Sequence, residues 1–301
     1  MENVAHVLMG RRIGQLSVFH RVGPRAALIG MVAANVPDLD VLLYAIDRDL
    51  GTWEHRGCTH SLMGWPVIAL AGAGITSRWL RTGRFQDHLG LWAAAVASHA
   101  ILDVPTTRGT QLFWPDDQRF GLELIFIVDP MFWLLLGVLP WWLSRRGGAR
   151  AALAPAIGIV TLAGWFAVSA LGKALALAQA VEPVEAVPAP LAPLFWTAFS
   201  QPTAGDPEVR RYWLTPWSSE PAGVFGAPRG PAWDAVLATH AGERDAWMSI
   251  APVILREAPG SLGVVDLAYT SWLDPDQFRF GHVYSISGDG TVSRSHEVQV
   301  R

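Results

Sequence analysis

The feature that most constrains the fold of this chain is a series of long apolar segments. A bilayer core needs about 20 mostly apolar residues per helical span, and five segments approach that length: residues 26–46, 61–80, 88–105, 122–144 and 151–178. The chain is 51% hydrophobic and only 16% charged, which is too apolar for an ordinary soluble domain. The sequence therefore predicts a mostly α-helical, polytopic membrane bundle with about five apolar segments.

Arginines orient these segments, because short cytoplasmic loops are enriched in Lys and Arg. Three clusters fall on one side if all five segments cross: Arg11, Arg12, Arg21 and Arg25; Arg78, Arg81 and Arg84; and Arg145, Arg146 and Arg150. We therefore predict a multi-pass protein of the inner (cytoplasmic) membrane with a cytoplasmic N-terminus. The loops 47–60 and 106–121, and everything after residue 180, are expected on the extracytoplasmic side.

The character of the sequence changes after Leu177. The stretch AVEPVEAVPAPLAP is typical of a Pro-rich linker, and SGDG between two β-rich runs predicts a hairpin. We expect a helix around AWDAVLATHAGERDAWMSIAPVIL and no ligand spacing among His240, His282 and His296. The predicted domains are a membrane-embedded metal-site region over 1–180, a linker over 181–190 and an extracytoplasmic β-rich domain over 191–301.

Ionisable side chains interrupt the apolar segments at positions that are costly in a membrane. The polar residues in two of the segments are Asn35, Asp38, Asp40, His99 and Asp103. Such groups cost on the order of several kcal/mol at depth unless they pair, bind an ion or face water. In the predicted topology they meet the motif EHRGCTHS, residues 54–61, at the external face. This convergence makes them candidates for a functional site.

The spacing of these residues suits metal binding. His99 and Asp103 are four residues apart, so on a helix they lie on one face and can reach one ion. Pro37 ends any preceding helix. If the chain after it is extended, Asp38 and Asp40 point the same way. If it is helical they diverge, and only one of them can be a ligand.

Histidines complete the candidate ligand set. Gly57 permits a tight turn between His55 and His60, so that one of the two can join the aspartates, and His6 could supply another nitrogen if the first segment folds back. Nitrogen and carboxylate ligands without thiolates suit zinc or another first-row divalent metal. We predict one or two divalent ions, zinc before manganese, held by residues from the set His6, Asp38, Asp40, His55, His60, His99 and Asp103.

Three further side chains lie near this set. Arg56 and Arg108 could hold a phosphate by charge-assisted hydrogen bonds; the alternative is an ion pair with Glu54, Asp116 or Asp117, or with Asp103 in the case of Arg108. The only cysteine, Cys58, is interpreted as a small apolar filler and not as a ligand. A net charge of -3 argues against a nucleic-acid partner.

The motifs MENVAH, AANVPDLDVL, EHRGCTHSL and SHAILDVPTTRGTQLFWP, in this order within residues 1–130, resemble the YdjM/YbcI-type membrane-bound metal-dependent hydrolases. That family is grouped with zinc-dependent phospholipase C. The resemblance implies metal ligands at His6, Asp38 or Asp40, His55 or His60, and His99 with Asp103. The later His and Glu ligands of the phospholipases have no counterpart here, so one or two metals are expected and not three.

The resemblance and the residues together predict an integral membrane hydrolase that acts like a phospholipase C. A metal-activated water would cleave a phosphoester of a lipid or lipid-linked substrate, with Asp38 or Asp40 as base and Arg56 or Arg108 as phosphate clamp. Membrane lipids are the expected partners. A metallopeptidase ranks low because there is no HExxH motif. The alternative from another class is a non-enzymatic membrane protein whose ion is structural.

Overall fold

The computed structural model describes residues 2–189, 193–200, 207–269 and 281–296. The chain forms two compact units. The first comprises Met1–Leu171 with Pro190–Pro193, and the second Gly172–Ala189 with Leu194–Arg301. The first unit is built from helices and the second mainly from one antiparallel sheet. The prediction of a helical N-terminal region followed by a β-rich C-terminal region is therefore confirmed.

The first half of the helical unit alternates α-helices with short 3₁₀ helices. The α-helices are α1 (Asn3–Gly14), α2 (Ala26–Ala33), α3 (Arg48–Glu54), α4 (Gly64–Leu80) and α5 (Phe85–Asp103). The 3₁₀ helices are Ser17–Val22, Pro37–Ala45 and Cys58–His60. After an irregular stretch follow α6 (Pro130–Phe132), a π-helical segment Trp133–Val138, α7 (Leu139–Ser144) and α8 (Gly148–Leu177).

Glycines allow the backbones of helices α1 and α2 to touch. A Cβ at Gly10 of α1 would lie 2.1 Å from the carbonyl oxygen of Gly30 in α2, and a Cβ at Gly30 would lie 2.1 Å from that of Gly10. Gly14, four residues after Gly10, approaches Ala26 in the same way. Small residues at this spacing allow close helix packing. The contact brings the start of α1 beside α5, which packs against both helices.

The helix α5 is the central element of this unit. It is buried on most sides, through Leu91, Trp92, Ala95, Val96, Ala100 and Leu102 among others. The irregular stretch, residues 104–129, covers the C-terminal end of α5. Leu122 N donates to the Val104 carbonyl, and Gln111 N donates to the Arg56 carbonyl. This stretch fixes the position of the EHRGCTHS turn against α5.

The number of membrane spans differs from the prediction. Among the described residues, one helix, α8, is long and apolar enough to cross a membrane. Two bent pairs would also pass if each counted as one span: Ala26–Ala33 with Pro37–Ala45, at 47°, and Leu50–His60 with Gly64–Leu80, at 70°. The predicted total of about five spans is therefore not confirmed.

Two of the predicted spans fail for identifiable physical reasons. The segment 122–144 becomes helical only at Pro130, and a helix over 130–144 is about 22 Å long at 1.5 Å per residue, short of a bilayer core of about 30 Å. The segment 88–105 is one helix, but it carries polar side chains that turn into the protein: His88, Ser98, His99 and Asp103. Its apolar residues form the core of the unit.

The second unit is an eight-stranded antiparallel meander in the order β1 to β8. The strands are β1 (Val184–Pro188), β2 (Trp196–Ser200), β3 (Glu208–Thr215), β4 (Ser218–Gly226), β5 (Pro252–Ala258), β6 (Ser261–Asp266), β7 (Gly281–Ile286) and β8 (Val292–His296). The SGDG sequence connects β7 to β8, as the hairpin prediction required. Strand β1 lies within the stretch predicted as a linker, 181–190.

Two short helices, α9 (Pro231–Leu237) and α10 (His240–Met248), replace the first part of the predicted single helix, and its last residues, from Pro252, belong to strand β5, so the prediction is wrong there. They separate at Thr239, whose hydroxyl accepts a hydrogen bond from Gly242 N and so caps α10. Of the three histidines in this unit, His240 begins α10 and His282 Nε2 lies 3.6 Å from Asp245 Oδ1. The side chain of His296 lies outside the described residues.

Candidate metal centre

The last turns of α5 supply the first two candidate ligands. His99 and Asp103 are both fully buried, and His99 Nε2 lies 3.4 Å from Asp103 Oδ2. His99 Nδ1 lies 2.6 Å from the Ala34 carbonyl at the end of α2. Because a carbonyl only accepts, this nitrogen carries the proton, and in the neutral ring Nε2 holds a lone pair. In metal-binding histidines, the ring nitrogen that does not bind the metal typically donates to an acceptor in this way.

The segment after Pro37 supplies both aspartates. It is a 3₁₀ helix, and the two buried carboxylates of Asp38 and Asp40 diverge, as expected for a helical conformation. Asp38 Oδ1 lies 3.3 Å from His99 Nε2. Asp40 instead contacts His55, whose Nδ1 lies 2.9 Å from Oδ1. Asp38 is therefore the aspartate that faces the α5 pair, and Asp40 lies on the other side of the cluster.

The EHRGCTHS turn wraps around Asp40. Arg56 N and the Thr59 hydroxyl both donate to Asp40 Oδ2, at 2.9 and 3.0 Å. Arg56 has a φ of 67°, in the left-handed region, and this reversal brings His55 and His60 to the same carboxylate. The spacing of the two histidines left open which one joins the site. The structure places both in it.

The protonation of His60 follows from its neighbours. Its Nδ1 lies 3.0 Å from the Thr59 oxygen and 3.3 Å from Asp40 Oδ2. Since the Thr59 proton is already donated to Asp40, Thr59 accepts from His60, and Nδ1 of His60 carries the proton. The neutral His60 ring, like that of His99, therefore holds its lone pair on Nε2.

Four donor atoms form the centre of the cluster. His60 Nε2 lies 2.9 Å from His99 Nε2, 3.4 Å from Asp38 Oδ1 and 3.5 Å from Asp103 Oδ2. The corresponding distances from His99 Nε2 are 3.3 and 3.4 Å. Tetrahedral zinc with bonds of about 2.0–2.1 Å requires ligand-to-ligand distances of about 3.3 Å. The residues present therefore fit a divalent ion.

His6 of α1 borders the same cluster. Its ring is fully buried and stacks on His99 with centroids 3.7 Å apart, and neither of its nitrogens makes a hydrogen bond within the described part of the chain. Burial is the largest cause that lowers the pKa of His6, to about 3. Its Nε2 lies 3.5 Å from Asp103 Oδ1. A neutral, buried imidazole without a hydrogen-bond partner is available to a metal.

The seven residues predicted as ligands form three overlapping groups. In each group, one ligand atom per residue lies within 4.8 Å of the others. The first group is His6, Asp38 and His99, the second is His60, His99 and Asp103, and the third is Asp38, Asp40 and His55. Shared residues join them into one cluster. Their proximity is established, and their role as ligands stays a prediction.

The two candidate phosphate clamps differ in position. Arg56 is 2% exposed; its Nη2 lies 3.3 Å from Asp103 Oδ1, and its Nη1 donates to Thr106 and to the Gly109 carbonyl. Arg56 therefore pairs with Asp103 and not with the acidic residues that the sequence suggested. This ion pair orients Asp103, which is a candidate ligand. Arg108 is half-buried and belongs to none of the three groups.

Sequence reasoning missed the supporting side chains. Thr59 connects Asp40 to His60, and the Ala34 carbonyl anchors His99. Thr59 directly precedes His60, which is the one local signal that could have identified it; Ala34 contributes only backbone. The interpretation of Cys58 as a packed apolar filler is wrong, because its side chain is exposed, and it belongs to none of the metal groups.

Comparison with known proteins identifies the family of the chain that carries this cluster. The chain is 34% identical to inner membrane protein YbcI of Escherichia coli (strain K12) over 128 residues, which cover 41% of this chain and 68% of YbcI. It is 29% identical to the uncharacterized protein YfhP of Bacillus subtilis (strain 168) over 162 residues, or 49% of this chain and 48% of YfhP. No solved structure matches. The family described as YdjM inner membrane protein matches residues 1–177, more than half of the chain and all seven clustered residues. The chain therefore belongs to the YdjM inner membrane protein family.

Proposed function

We propose that this protein is a membrane-bound hydrolase that uses one or two divalent ions, zinc before manganese, to cleave a phosphoester. The observation that carries the proposal is the 2.9 Å separation of His60 Nε2 and His99 Nε2, with Asp38 Oδ1 and Asp103 Oδ2 each 3.3–3.5 Å from both nitrogens, because these distances suit ligands of one zinc ion. A divalent ion bound there supplies two kinds of chemistry: it lowers the pKa of a coordinated water and polarises a phosphoryl oxygen.

His55 is suited to act as the general base. Asp40 Oδ1 holds its Nδ1 at 2.9 Å, so the neutral ring presents the basic Nε2 away from that carboxylate. The side chain of His55 is 18% exposed, whereas those of His60, His99 and Asp103 are fully buried, so a substrate approaches from the His55 side. Asp40 already accepts three hydrogen bonds, which suits it to orient His55 and makes it a poorer base than the sequence suggested.

The rim of the cluster supports an amphiphilic substrate. Large apolar side chains beside the candidate ligands are exposed, among them Leu39 at 57%, Leu42 at 63% and Met63 at 64%. Leu39 stands between Asp38 and Asp40 in the sequence, so exposed apolar surface lies on the same short helix that supplies both aspartates. An acyl chain could contact this surface while its phosphoester reaches the ion. Arg108, which makes no ion pair within the described part of the chain, is the candidate for holding the phosphate.

One observation favours a second candidate function. Two imidazole nitrogens and two carboxylate oxygens lie close enough to bind one ion; if all four bind it, the site is closed like a structural zinc site, whereas catalytic sites keep a position for water. A single ion at this place would therefore join α5 to the segments that carry Asp38 and His60 and have no catalytic role. Activity would then require a second ion, bound by Asp38, Asp40 and His55.

The experiment that separates the two functions is a hydrolysis assay of the detergent-purified, zinc- or manganese-loaded full chain. A chromogenic phosphodiester and phosphatidylglycerol vesicles are the substrates, and His55→Gln is compared with His20→Gln, which changes an exposed histidine outside the cluster. If His55 is the general base, His55→Gln should lower the rate roughly 100- to 10,000-fold, the usual contribution of such a base, with metal content unchanged. Loss of one equivalent of metal in this variant would instead make His55 a ligand of the second ion. Absence of hydrolysis by the metal-loaded protein would favour the structural ion.

A further inference from the structure

A groove with a volume of 770 Å³ lies along α1, and none of its lining residues belongs to the metal cluster. Three segments form it: α1 from Val4 to Gln15, the segment from Trp133 to Ser144, and the first turns of α8. The α1 wall is about 16 Å long, at 1.5 Å per residue. The volume falls within the range of about 300–1,000 Å³ that is typical of small-molecule sites.

The groove is apolar at one end and cationic at the other. Trp133 Nε1 donates to Glu2 Oε1 at 2.8 Å, and Gly137 lies against Leu8, so α1 and the 133–144 segment run in the same direction. Val4, Leu8 and Trp133 therefore line the apolar end. The opposite end contains Arg11, Arg12, Gln15 and Ser144. Such a distribution suits an elongated amphiphile with a negatively charged head.

The cationic end contains a buried charge that has no acidic partner among the described residues. Arg12 is 6% exposed, and its guanidinium donates to the Leu136 and Gly137 carbonyls and to the Gln15 side chain. Among the described residues, no carboxylate lies within 4 Å of Arg11 or Arg12. Burial, and then the charge of Arg11, lowers the pKa of Arg12 to about 10. A bound anion would stabilise this pair of cations.

Aromatic and basic residues mark the same end of the groove as interfacial. Trp141 lines the groove, and Arg145 stacks over it at 4.8 Å, while Arg146 stacks over Trp142 at 4.3 Å. Trp and Arg side chains concentrate at the boundary between the hydrocarbon core and water. Basic pockets between helices at this depth are suited to anionic lipid head groups.

We propose that this groove binds one anionic phospholipid of the surrounding bilayer. Its phosphodiester contacts Arg11 and Arg12, and one acyl chain follows Val4, Leu8 and Trp133. The lipid is a bound partner and not a substrate, because the groove shares no residue with the metal cluster. Its binding does not depend on the proposed hydrolase activity.

The first test is native mass spectrometry of the detergent-purified full chain, titrated with phosphatidylglycerol and with phosphatidylcholine. We expect one phosphatidylglycerol to be retained in preference to phosphatidylcholine. Arg11→Gln, a change at an exposed side chain, should weaken phosphatidylglycerol binding about fivefold, the effect of one arginine near an anionic head group. The matched control Arg21→Gln, also exposed but outside the groove, should leave binding unchanged.

The second test fills the groove and leaves both arginines in place. Ala152 lines the groove and is exposed within it, so Ala152→Phe should abolish retention of the lipid. The neighbouring Leu153 is 56% exposed and does not line the groove, so Leu153→Phe should retain it. Equal binding of the two lipids, or equal binding by Ala152→Phe and Leu153→Phe, would overturn the proposal.

Discussion

The Nε2 atoms of His60 and His99 lie 2.9 Å apart, although each ring holds its Nδ1 proton against another acceptor. In the neutral rings two lone pairs therefore face each other, which is unfavourable unless a proton or a metal ion lies between them. Asp38 and Asp103 contribute oxygens at 3.3–3.5 Å from the same two nitrogens. A divalent cation between the two nitrogens would accept both lone pairs, and each carboxylate oxygen is close enough to both nitrogens to join them as a ligand.

If Thr59 fixes the protonation of His60, its hydroxyl supports metal binding without touching the metal. Thr59→Val removes the acceptor for His60 Nδ1 and one donor to Asp40. Loss of such a supporting hydrogen bond typically costs about 10–100-fold in metal affinity. A zinc competition titration measures the effect. Thr107→Val changes a half-buried threonine outside the cluster and is the control; an affinity equal to that of Thr107→Val would show that Thr59 has no such role.

Arg56 is expected to stabilise the fold through Asp103. Arg56→Met removes the guanidinium that contacts the buried Asp103 carboxylate, and breaking a buried pair in this way costs about 3–5 kcal/mol of the free energy of unfolding. Arg108→Met, at a half-buried position outside the three groups, should cost far less. Thermal unfolding of the two metal-free variants tests this difference. Equal melting temperatures would mean that Arg56 is not a structural partner of Asp103.

The backbone contact between α1 and α2 positions His6, and Gly10 makes that contact possible. Gly10→Ala would place a methyl group 2.1 Å from the Gly30 carbonyl oxygen, so the helices must separate. We expect a loss of stability of roughly 1–3 kcal/mol, as for other overpacked positions. Gly74→Ala is the matched control, because nothing lies within 4 Å of a Cβ there and alanine favours the helix by about 1 kcal/mol. Gly10→Ala and Gly74→Ala with the same melting temperature would contradict the close contact.

The sequence predicted some parts of the candidate site well because they depend on local geometry. The His99 and Asp103 pair required only that residues 99–103 be helical. The choice between Asp38 and Asp40 could not be made, because it depends on whether the chain after Pro37 is extended or helical. The positive φ of Arg56 folds His55 and His60 around one carboxylate. It could not be predicted, because residues other than glycine rarely adopt a positive φ and nothing in the sequence marks this one.

The predicted span count is not confirmed, and one reason is that apolar composition does not distinguish a lipid-facing helix from one buried in protein. Leu91 and Ala95 of α5 are fully buried by neighbouring helices. The β-rich character of the C-terminal region was visible from composition, but β1 and β5 were not. The prolines in and around β1 suggested a linker, yet proline is tolerated on an edge strand, and β1 is the first strand of the sheet. The first four residues of β5 were assigned to the predicted helix.

The central claim is that the buried cluster holds a divalent metal. The most direct test is elemental analysis of the detergent-purified protein beside the double variant His99→Gln/Asp103→Asn, with His20→Gln as control. The account predicts at least one equivalent of zinc or manganese in the wild type and in the control, and a loss of at least tenfold in the double variant. A folded wild-type protein without metal, or a double variant that retains as much metal as the wild type, would contradict it.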